Sequence, residues 1–542
     1  MSRQSFAIAF IAFQAGFSVM VVELSAVRVL APSFGDSVPV WTNVIGVILL
    51  ALAIGAFVGG WVADRDGSPR LLPWLLLAAG GLLLVVPGLA PWLARWIMPE
   101  ALALDRAMAV LVEGSLAVTL LVFAPPVLLL GTISPLLIRI GASGRAARTG
   151  RVSGLVYATG TLGSLLGTFL ATHLLVPYLG LRTTFFVAAA ALISAGLIAG
   201  WLGARLRARA LAALLPCGLC LLIGEPRPVW LGAQQRLLAR ADSYYQRLWV
   251  VEDHEELEGQ RRRVRSLKIN EGLDSFHSVW IQDTPFTNGR YYDSFSLLPA
   301  MLAESRGEEG RRAVGESVRA LSLGCGAGSI LRILRWLLGS RLDAVGVELD
   351  PSVLELGRRY FALPQSAPGF RLLGHLGARV YVSYVDKDGP PFDLICLDTY
   401  RNQIYLPEHL ASVEFFRALR GRLAVDGILA LNLNDFSDDG AVISAVAGTL
   451  AAVFPSVESF RSGRNFFVFA HAGKPGLLHR SLGRAPVLAR SLPKGLVERA
   501  RRDGASRPWQ ALPEAELLRD GRSRLGALHD RIYRRTEPAD RP

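Results

Sequence analysis

The sequence of 542 residues is 51% hydrophobic and only 19% charged, and its mean hydropathy of +0.35 excludes a chain that is soluble along its whole length. The apolar excess is concentrated in residues 1–224, whereas residues 225–542 have the composition of an ordinary globular protein. The composition therefore predicts an N-terminal α-helical membrane bundle followed by a soluble part.

The net charge of +13 comes largely from loops between the apolar runs and from an Arg-rich C-terminal segment. No basic face with interleaved aromatic residues accompanies it, which is the pattern expected of a nucleic-acid-binding surface. The charge therefore favours contact with a lipid membrane and argues against nucleic acid as a partner.

Apolar runs close to the ~20 residues that cross a bilayer predict about seven membrane spans. Arginines cluster in alternate connections, so the positive-inside rule places the N-terminus in the cytoplasm of a multi-pass cell-membrane protein. The seventh span is the shortest and contains Pro216, and the side of the membrane on which the soluble part lies stays open. The predicted spans are residues 5–27, 41–63, 71–92, 107–131, 153–176, 180–203 and 208–224.

Two acidic residues, Glu23 and Glu113, fall inside predicted spans. Ionisable groups are costly in lipid and tend to face a bundle interior, a partner or an aqueous cavity. A structural role and a role in contacting a solute are both compatible with their positions.

Residues 225–310 predict a linker and a small β-rich subdomain. Short runs at 243–252, 263–269 and 278–282 have strand character, and the polar stretch 253–262 is predicted to connect the first two. A helix is expected to begin at the sequence RYYD, residues 290–293, and to run to about Glu304.

Residues 318–350 predict a strand, a glycine turn, a helix and a second strand. Gly324, Gly326 and Gly328 follow the first apolar run, and the tight backbone that they allow lets a nucleoside lie against the main chain at the helix N-terminus. Glu348 ends the second strand, about 20 residues past the glycines, where an acid accepts hydrogen bonds from ribose hydroxyls. A nucleoside-binding site is therefore predicted here.

Strands and helices continue to alternate, which predicts a Rossmann-like, doubly wound and mainly parallel sheet over residues 311–475. The apolar strand FDLICL ends at Asp398, and carboxyl ends of parallel strands are where open α/β sheets place their chemistry. Asp398 is therefore a candidate catalytic residue. Residues 476–542 are predicted to form a basic, partly disordered C-terminal tail.

The motifs SYYQ, RYYD, LGCGAGS, VELDP, FDLICLD and LPEHLASVEFF, in this order, resemble the spermidine synthase (polyamine aminopropyltransferase) family over about residues 240–435. The apolar half resembles the multi-span domain of membrane-fused spermidine-synthase-like proteins, through GFSVMVVELSAVRVLAPSFGDSVPVWTNVIG, LGTISPLLIR and YATGTLGSLLGT. The resemblance implies a fold of the S-adenosylmethionine-dependent transferase type.

The resemblance also implies an activity. Decarboxylated S-adenosylmethionine would give its aminopropyl group to a small-molecule amine, without a metal, in a monomer or a homodimer. Asp398 matches the proton-accepting aspartate of the family, and the three glycines, Glu348 and Gln246 match its cofactor-binding positions. The positions that correspond to the amine site are Tyr292, Asp293 and Tyr405.

Several positions depart from the family pattern. Ala327 stands where the glycine turn usually has an aspartate, and Tyr292 replaces a histidine. The family's second aspartate after the catalytic one is replaced within residues 398–401, where Arg401 would repel a polyamine. Gly377 or its neighbour stands where an aspartate binds the adenine amino group. Two alternatives therefore remain beside an aminopropyltransferase. One is a methyltransferase that uses S-adenosylmethionine, and the other is a non-catalytic membrane protein that binds or transports a polyamine.

Overall fold

A computed structural model describes most of the chain, which divides into two compact units. One contains residues 1–232 with the short segments 242–247 and 270–273, and the other contains residues 233–241, 248–269 and 274–542. The described residues are 3–34, 38–65, 70–97, 112–142, 149–203, 231–243, 245–270, 277–307, 317–364, 368–385, 389–400, 406–435, 440–462, 465–484, 492–493, 495–503, 508–520, 525 and 528.

The first unit is helical, and its described residues include five helical segments that are long and apolar enough to cross a membrane. The predicted N-terminal membrane bundle is therefore confirmed as a helical unit with helices of membrane-spanning length and composition. The segments are α1 (Arg3–Phe34), α2 (Val38–Arg65), α3 (Leu71–Ile97), α4 (Val112–Ala142) and a fifth that extends over Thr149–Gly200.

The fifth segment has 52 residues, about twice the length that one crossing needs. It consists of α5 (Thr149–Leu170), a π-helical stretch (Ala171–Leu179) and α6 (Gly180–Gly203), and Gly180 has a φ of 77° at the junction. The predicted spans 153–176 and 180–203 fall on its two halves. The seventh predicted span, 208–224, lies outside the described residues, so the count of seven stays a prediction.

Helices α1 and α5 pack with their backbones in contact. A Cβ atom added at Gly163 of α5 would overlap the carbonyl oxygen of Phe13, and one at Gly167 would lie 2.5 Å from the carbonyl oxygen of Phe17. Small residues at such positions allow the close approach that stabilises helix pairs in lipid. The glycines at these positions therefore determine the spacing of α1 and α5.

We expect Gly163→Leu to destabilise the helical unit by about 1–3 kcal/mol, because the new side chain has to separate α1 from α5. Gly154→Leu, on the same helix, is the matched control, since no atom lies within 4 Å of a Cβ at that position. Thermal unfolding of the two variants in detergent checks the expectation. Equal midpoints for both would show that the α1–α5 contact does not need the glycine.

The second unit begins with a four-stranded antiparallel sheet. Its strands are β1 (Arg236–Asp242), β2 (Arg247–Leu257), β3 (Gln260–Ile269) and β4 (Ser278–Ile281), in the order 1-2-3-4. The predicted connection over 253–262 is wrong, because the strands continue through it. Glu258 and Gly259 make a two-residue turn with φ values of 51° and 74°, and oppositely charged residues such as Glu255 and Arg262 stand opposite each other in the register of the two strands.

The larger sheet has seven strands, in the order β10-β11-β9-β8-β5-β6-β7. Strands β5 to β9 pair in parallel, and β11 pairs antiparallel with both β9 and β10. The strands are β5 (Val318–Leu323), β6 (Leu342–Val347), β7 (Phe370–Leu373), β8 (Phe392–Leu397), β9 (Leu423–Asn434), β10 (Ser456–Ser462) and β11 (Asn465–His471). The predicted doubly wound α/β fold is confirmed.

Helices alternate with these strands along the chain. A 3₁₀ helix (Tyr291–Leu297) precedes the first of them, and a second one (Glu408–Leu410) precedes α11. The α-helices are α7 (Leu298–Ser305), α8 (Ser329–Leu338), α9 (Pro351–Tyr360), α10 (Ala378–Tyr384), α11 (Val413–Arg422), α12 (Ala441–Ala451), α13 (Leu477–Arg484) and α14 (Leu496–Asp503).

Much of segment 476–542 that is described is folded against the sheet domain. Besides α13 and α14, residues 508–520 pack on it. The Trp509 indole N–H donates to Ser459 Oγ over 2.9 Å, the Leu518 side chain is buried, and Asp520 forms an ion pair with Arg379 of α10. These residues extend the domain, and most of the rest of the predicted tail 476–542 lies outside the described residues.

Candidate active site

The strand order reverses at β5, which has β6 on one side and β8 on the other. In open α/β sheets, ligands bind at such a switch point, outside the carboxyl ends of the strands. Backbone hydrogen bonds tie the three strand ends together here: Gly324 N–H donates to Val347 O and Asp398 N–H donates to Leu323 O, each over 3.0 Å. The residues after β5, β6 and β8 therefore share one edge of the sheet.

The turn after β5 requires its glycines. Gly324, Gly326 and Gly328 have φ values of 71°, 54° and 90°, which side chains rarely allow. A Cβ at Gly324 would also lie 2.5 Å from the carbonyl oxygen of Asp398. The turn thus brings bare backbone against the end of β8, immediately before α8 begins at Ser329.

Glu348, the residue after β6, has its carboxylate at this turn. Its Oε2 accepts from Gly326 N–H over 2.9 Å, and its Oε1 accepts from Asp350 N–H over 3.2 Å. Burial raises the pKa of Glu348 to about 7, and these backbone donors limit the rise. Each carboxylate oxygen keeps a lone pair that a ligand hydroxyl could use.

The far side of the glycine turn is held by β4. Ser278 Oγ accepts from Ala327 N–H over 2.8 Å, and Ser329 Oγ both accepts from Val279 N–H and donates to Val279 O. Ala327 is buried, with 1% of its surface exposed, among apolar residues of the small sheet and α9. The side chain that replaces the family's aspartate is therefore a packing group.

Asp398 is held by two hydrogen bonds. Asn432 Nδ2 donates to its Oδ1 and the Tyr291 hydroxyl donates to its Oδ2, both over 3.0 Å. Burial raises the pKa of Asp398 to about 6, while these hydrogen bonds favour the ionised form and limit the rise. The carboxylate is thus ionised at neutral pH. Its pKa is close to the working pH, which suits a group that accepts a proton during a reaction.

Two tyrosines at the start of the 3₁₀ helix face Asp398. The rings of Tyr291 and Tyr292 are in contact with their centroids 4.0 Å apart and their planes tilted by 33°, and the Tyr292 side chain is buried. Burial and the nearby Asp398 carboxylate raise the pKa of both phenols, so both stay protonated at neutral pH. Tyr292, predicted to bind the amine, therefore lies beside the candidate catalytic residue, and Tyr291 contacts it directly.

The carboxylate of Asp293 is engaged elsewhere. Its Oδ1 accepts from the Thr287 N–H and hydroxyl, over 2.7 and 2.8 Å, and its Oδ2 accepts from Gly289 N–H over 2.7 Å. Asp293 is fully buried and closes the loop before the 3₁₀ helix. Its predicted contact with the amine substrate stays a prediction.

A second layer of polar groups supports Asp398 from β9 and β11. Asn465 Nδ2 donates to Asn432 Oδ1 over 2.6 Å. The Tyr400 hydroxyl donates to Asn432 O and accepts from Asn434 N–H, over 2.7 and 3.0 Å. Tyr400 thereby fastens the loop after Asp398 to the end of β9.

The other predicted positions are only partly described. Gln246 lies in the turn before β2, where its N–H donates to Ser243 Oγ over 2.9 Å, and its assignment to the cofactor stays a prediction. Gly377 precedes α10, and a Cβ there would meet only Val380, at 3.9 Å. Tyr405 and Arg401 lie outside the described residues. Among the residues that the structure describes, no cluster of His, Cys, Asp and Glu could hold a metal ion.

Sequence reasoning missed Tyr291, Asn432, Asn465 and Ser278 as site residues. The sequence NLN at the end of the apolar strand β9 was a usable signal, because polar residues at a strand's carboxyl end often face a ligand. The sequence around Asn465 contains no such signal, because the contact of Asn465 with the site depends on the insertion of β11 between β9 and β10.

The arrangement combines three chemical capacities. The glycine turn and Glu348 can hold a nucleoside, Asp398 can accept a proton, and Tyr291 can stabilise the ionised carboxylate or pass a proton to it. Thr399 Oγ1 is buried without a hydrogen-bond partner among the described residues and offers one more polar contact to a ligand. These capacities suit the transfer of a group to an amine.

Part of this chain is similar in sequence to known proteins. No family model matches the chain. A "probable polyamine aminopropyl transferase" of Bifidobacterium longum (strain NCC 2705) is 29% identical over 191 residues, 35% of this chain and 38% of that protein. A "polyamine aminopropyltransferase" of Vibrio vulnificus (strain CMCP6) is 35% identical over 116 residues, 21% of this chain and 37% of that protein.

The chain thus spans less than two fifths of the length of these two curated relatives. Among solved structures, a probable spermidine synthase from Corynebacterium glutamicum ATCC 13032 is 20% identical with a TM-score of 0.35, covering 49% of this chain and 95% of that one. The two curated relatives confirm the resemblance indicated by the motifs: part of this chain is similar in sequence to polyamine aminopropyltransferases.

Proposed function

We propose that the chain is a membrane-anchored aminopropyltransferase that moves an aminopropyl group from decarboxylated S-adenosylmethionine to a small-molecule amine. One observation carries the proposal. The carboxylate of Asp398 lies at the switch point of the sheet, held by Tyr291 and Asn432, and the main-chain carbonyl of the same residue lies against the glycine turn that precedes Glu348 in the chain.

The donor site follows from the glycine turn and Glu348. In the proposal the ribose hydroxyls of the donor donate to the Glu348 carboxylate, which is already oriented by Gly326 N–H and Asp350 N–H. The positive sulfonium of the donor lies near two carboxylates, Glu348 and Asp398, which attract it. Donor binding should then lower the pKa of both acids.

The reaction requires one base. The lone pair of the acceptor amine attacks the donor carbon next to the sulfonium, a C–N bond forms, and the C–S bond breaks with its electron pair going to sulfur. Methylthioadenosine leaves as a neutral thioether, and Asp398 takes the proton from the new ammonium group. A pKa of about 6 suits this step, because Asp398 is ionised at pH 7 and still basic enough to accept the proton.

Isothermal titration of the detergent-purified full chain with decarboxylated S-adenosylmethionine, S-adenosylmethionine and methylthioadenosine tests the donor site. We expect the decarboxylated donor to bind best, and Glu348→Gln to weaken it about 10- to 100-fold, because charge-assisted hydrogen bonds to ribose are lost. Wild-type affinity should also fall as the pH drops below about 7, where Glu348 takes up a proton. Glu355→Gln, an exposed acid on α9, is the matched control.

Two results would contradict the proposal. Absence of binding for all three ligands would show that the fold serves another purpose. A clear preference for S-adenosylmethionine would favour a methyltransferase, an alternative that Ala327 supports because the turn has no carboxylate side chain to bind the aminopropyl ammonium group.

A further inference from the structure

We propose that Asn465 is a positioning residue that acts through Asn432 to keep a hydrogen-bond donor directed at Asp398. The inference rests on the proposed function, since it assigns Asp398 as the base. It adds one residue of the β10–β11 hairpin to the groups that act on Asp398.

The contacts form one chain of side chains across three strands. Asn465, at the start of β11, donates to Asn432 Oδ1 over 2.6 Å, and Asn432, in β9, donates through Nδ2 to Asp398 Oδ1 over 3.0 Å. Asn432 is buried, with 3% of its surface exposed. Its carbonyl oxygen accepts from Tyr400, and its backbone pairs with Phe467 of β11. The side-chain amide of Asn432 therefore has a fixed position. The remaining question is which end of the amide, the oxygen or the nitrogen, faces Asp398.

The orientation matters because the two ends of an amide have nearly the same shape but opposite hydrogen-bonding capacity. With Asn465 donating to Oδ1, the nitrogen of Asn432 has to face Asp398. Without that donor, the amide is free to turn its oxygen to Asp398 when the carboxyl group is protonated and to accept a hydrogen bond from it. That bond would stabilise the protonated form of Asp398 relative to the ionised form.

Among the described residues, the other titratable groups that face Asp398 do not offset this change. Tyr291, Tyr292 and Tyr400 are phenols that stay protonated at neutral pH, and Cys396 is a buried thiol whose pKa is raised above its ordinary value. A cation among them would hold the carboxylate ionised, but each of the four is neutral in its stable form. Burial raises the pKa of Asp398, and the Asn432 amide and the Tyr291 hydroxyl are the two hydrogen-bond donors that limit the rise.

Labelling of Asp398 with a hydrophobic carbodiimide, which reacts with protonated carboxyl groups, tests the inference without needing enzyme activity. The full chain in detergent is labelled between pH 4.5 and 8, and the modified peptide is quantified by mass spectrometry. We expect a midpoint near pH 6 in the wild type. In Asn465→Ala and Asn465→Asp the midpoint should move up by about one pH unit or more, with the aspartate variant moving further because it adds a negative charge.

Arg461→Glu is the control for charge alone, since Arg461 is an exposed residue of the same hairpin; its midpoint should stay within about 0.3 pH unit of the wild type. In the transfer assay, Asn465→Ala should lower kcat about tenfold while the KM for the donor is unchanged. An unchanged labelling midpoint in Asn465→Ala would overturn the inference, even if the aspartate variant moves. A wild type without transfer activity but with the shift in Asn465→Ala would overturn the proposed function and leave the positioning role intact.

Discussion

Asp398→Asn is expected to reduce kcat for aminopropyl transfer by about 10²- to 10⁴-fold, the contribution typical of a general base. The amide is almost the same size as the carboxylate but cannot accept the proton of the attacking amine. It also cannot accept hydrogen bonds at both ends, so either Tyr291 or Asn432 loses its acceptor. The rate of methylthioadenosine formation measures the loss.

The pH dependence of kcat/KM gives a second expected result for Asp398. Because burial raises the pKa of Asp398 to about 6, the carboxyl group is protonated and inactive below that pH and becomes active as the pH rises through it. In the wild type kcat/KM should therefore fall on the acid side, and the limb due to Asp398 should be absent from the residual activity of Asp398→Asn.

Asp343→Asn is the control. Asp343 lies near the start of β6, at the end of the strand away from the candidate site, and forms an ion pair with Arg319. Donor affinity in Asp398→Asn should stay within about tenfold of the wild type, because the glycine turn and Glu348 are unchanged. Undiminished transfer by Asp398→Asn would rule out Asp398 as the base.

Gly324→Ala is expected to abolish donor binding and to destabilise the unit that contains the seven-stranded sheet. The φ of 71° strains any side chain, and the new Cβ would lie 2.5 Å from the Asp398 carbonyl oxygen and 2.7 Å from Thr399 Cγ2. Strain and overpacking together should lower the free energy of unfolding by about 2–5 kcal/mol. The overlap also pushes the end of β8 away from the turn, so the loss of binding should exceed what instability explains.

Gly339→Ala separates these two effects. Gly339 has a similar φ of 60°, but no atom lies within 4 Å of a Cβ at that position. The Gly339→Ala variant should therefore lose only about 1–3 kcal/mol of stability, from backbone strain, and should bind the donor normally. Chemical denaturation and calorimetry on both variants give the comparison. Equal donor affinity in the two would mean that contact between the turn and β8 is not needed for binding.

The fold could be predicted where its elements follow from local patterns. Apolar runs of membrane length predicted the helical unit, and strands alternating with helices predicted the parallel part of the sheet. Both strands of the β2–β3 hairpin were predicted, but its outer half, residues 253–262, was predicted as a connection because it is charged. Glu255 in that half forms its ion pair with Arg290, which lies outside the hairpin, so no local pattern indicates the contact. The antiparallel β10 and β11 were missed because the prediction extended the parallel pattern.

The site residues that directly follow a strand could be predicted from the sequence. Glu348 and Asp398 follow apolar strands, and the parallel sheet brings them to one edge, as expected. Tyr291 and Asn465 contact the site through elements that lie 107 and 67 positions from Asp398 along the chain. Such contacts depend on strand order and on the packing of the 3₁₀ helix, which no local sequence pattern specifies. The role of Ser278 likewise depends on how β4 meets the glycine turn.

The measurement that tests the central claim most directly is product analysis of the purified full chain incubated with decarboxylated S-adenosylmethionine and a panel of amines. Mass spectrometry should find methylthioadenosine and one aminopropylated amine in equal amounts, formed by the wild type and nearly absent with Asp398→Asn. Formation of neither product with any amine, by a protein that binds the donor, would contradict an aminopropyltransferase.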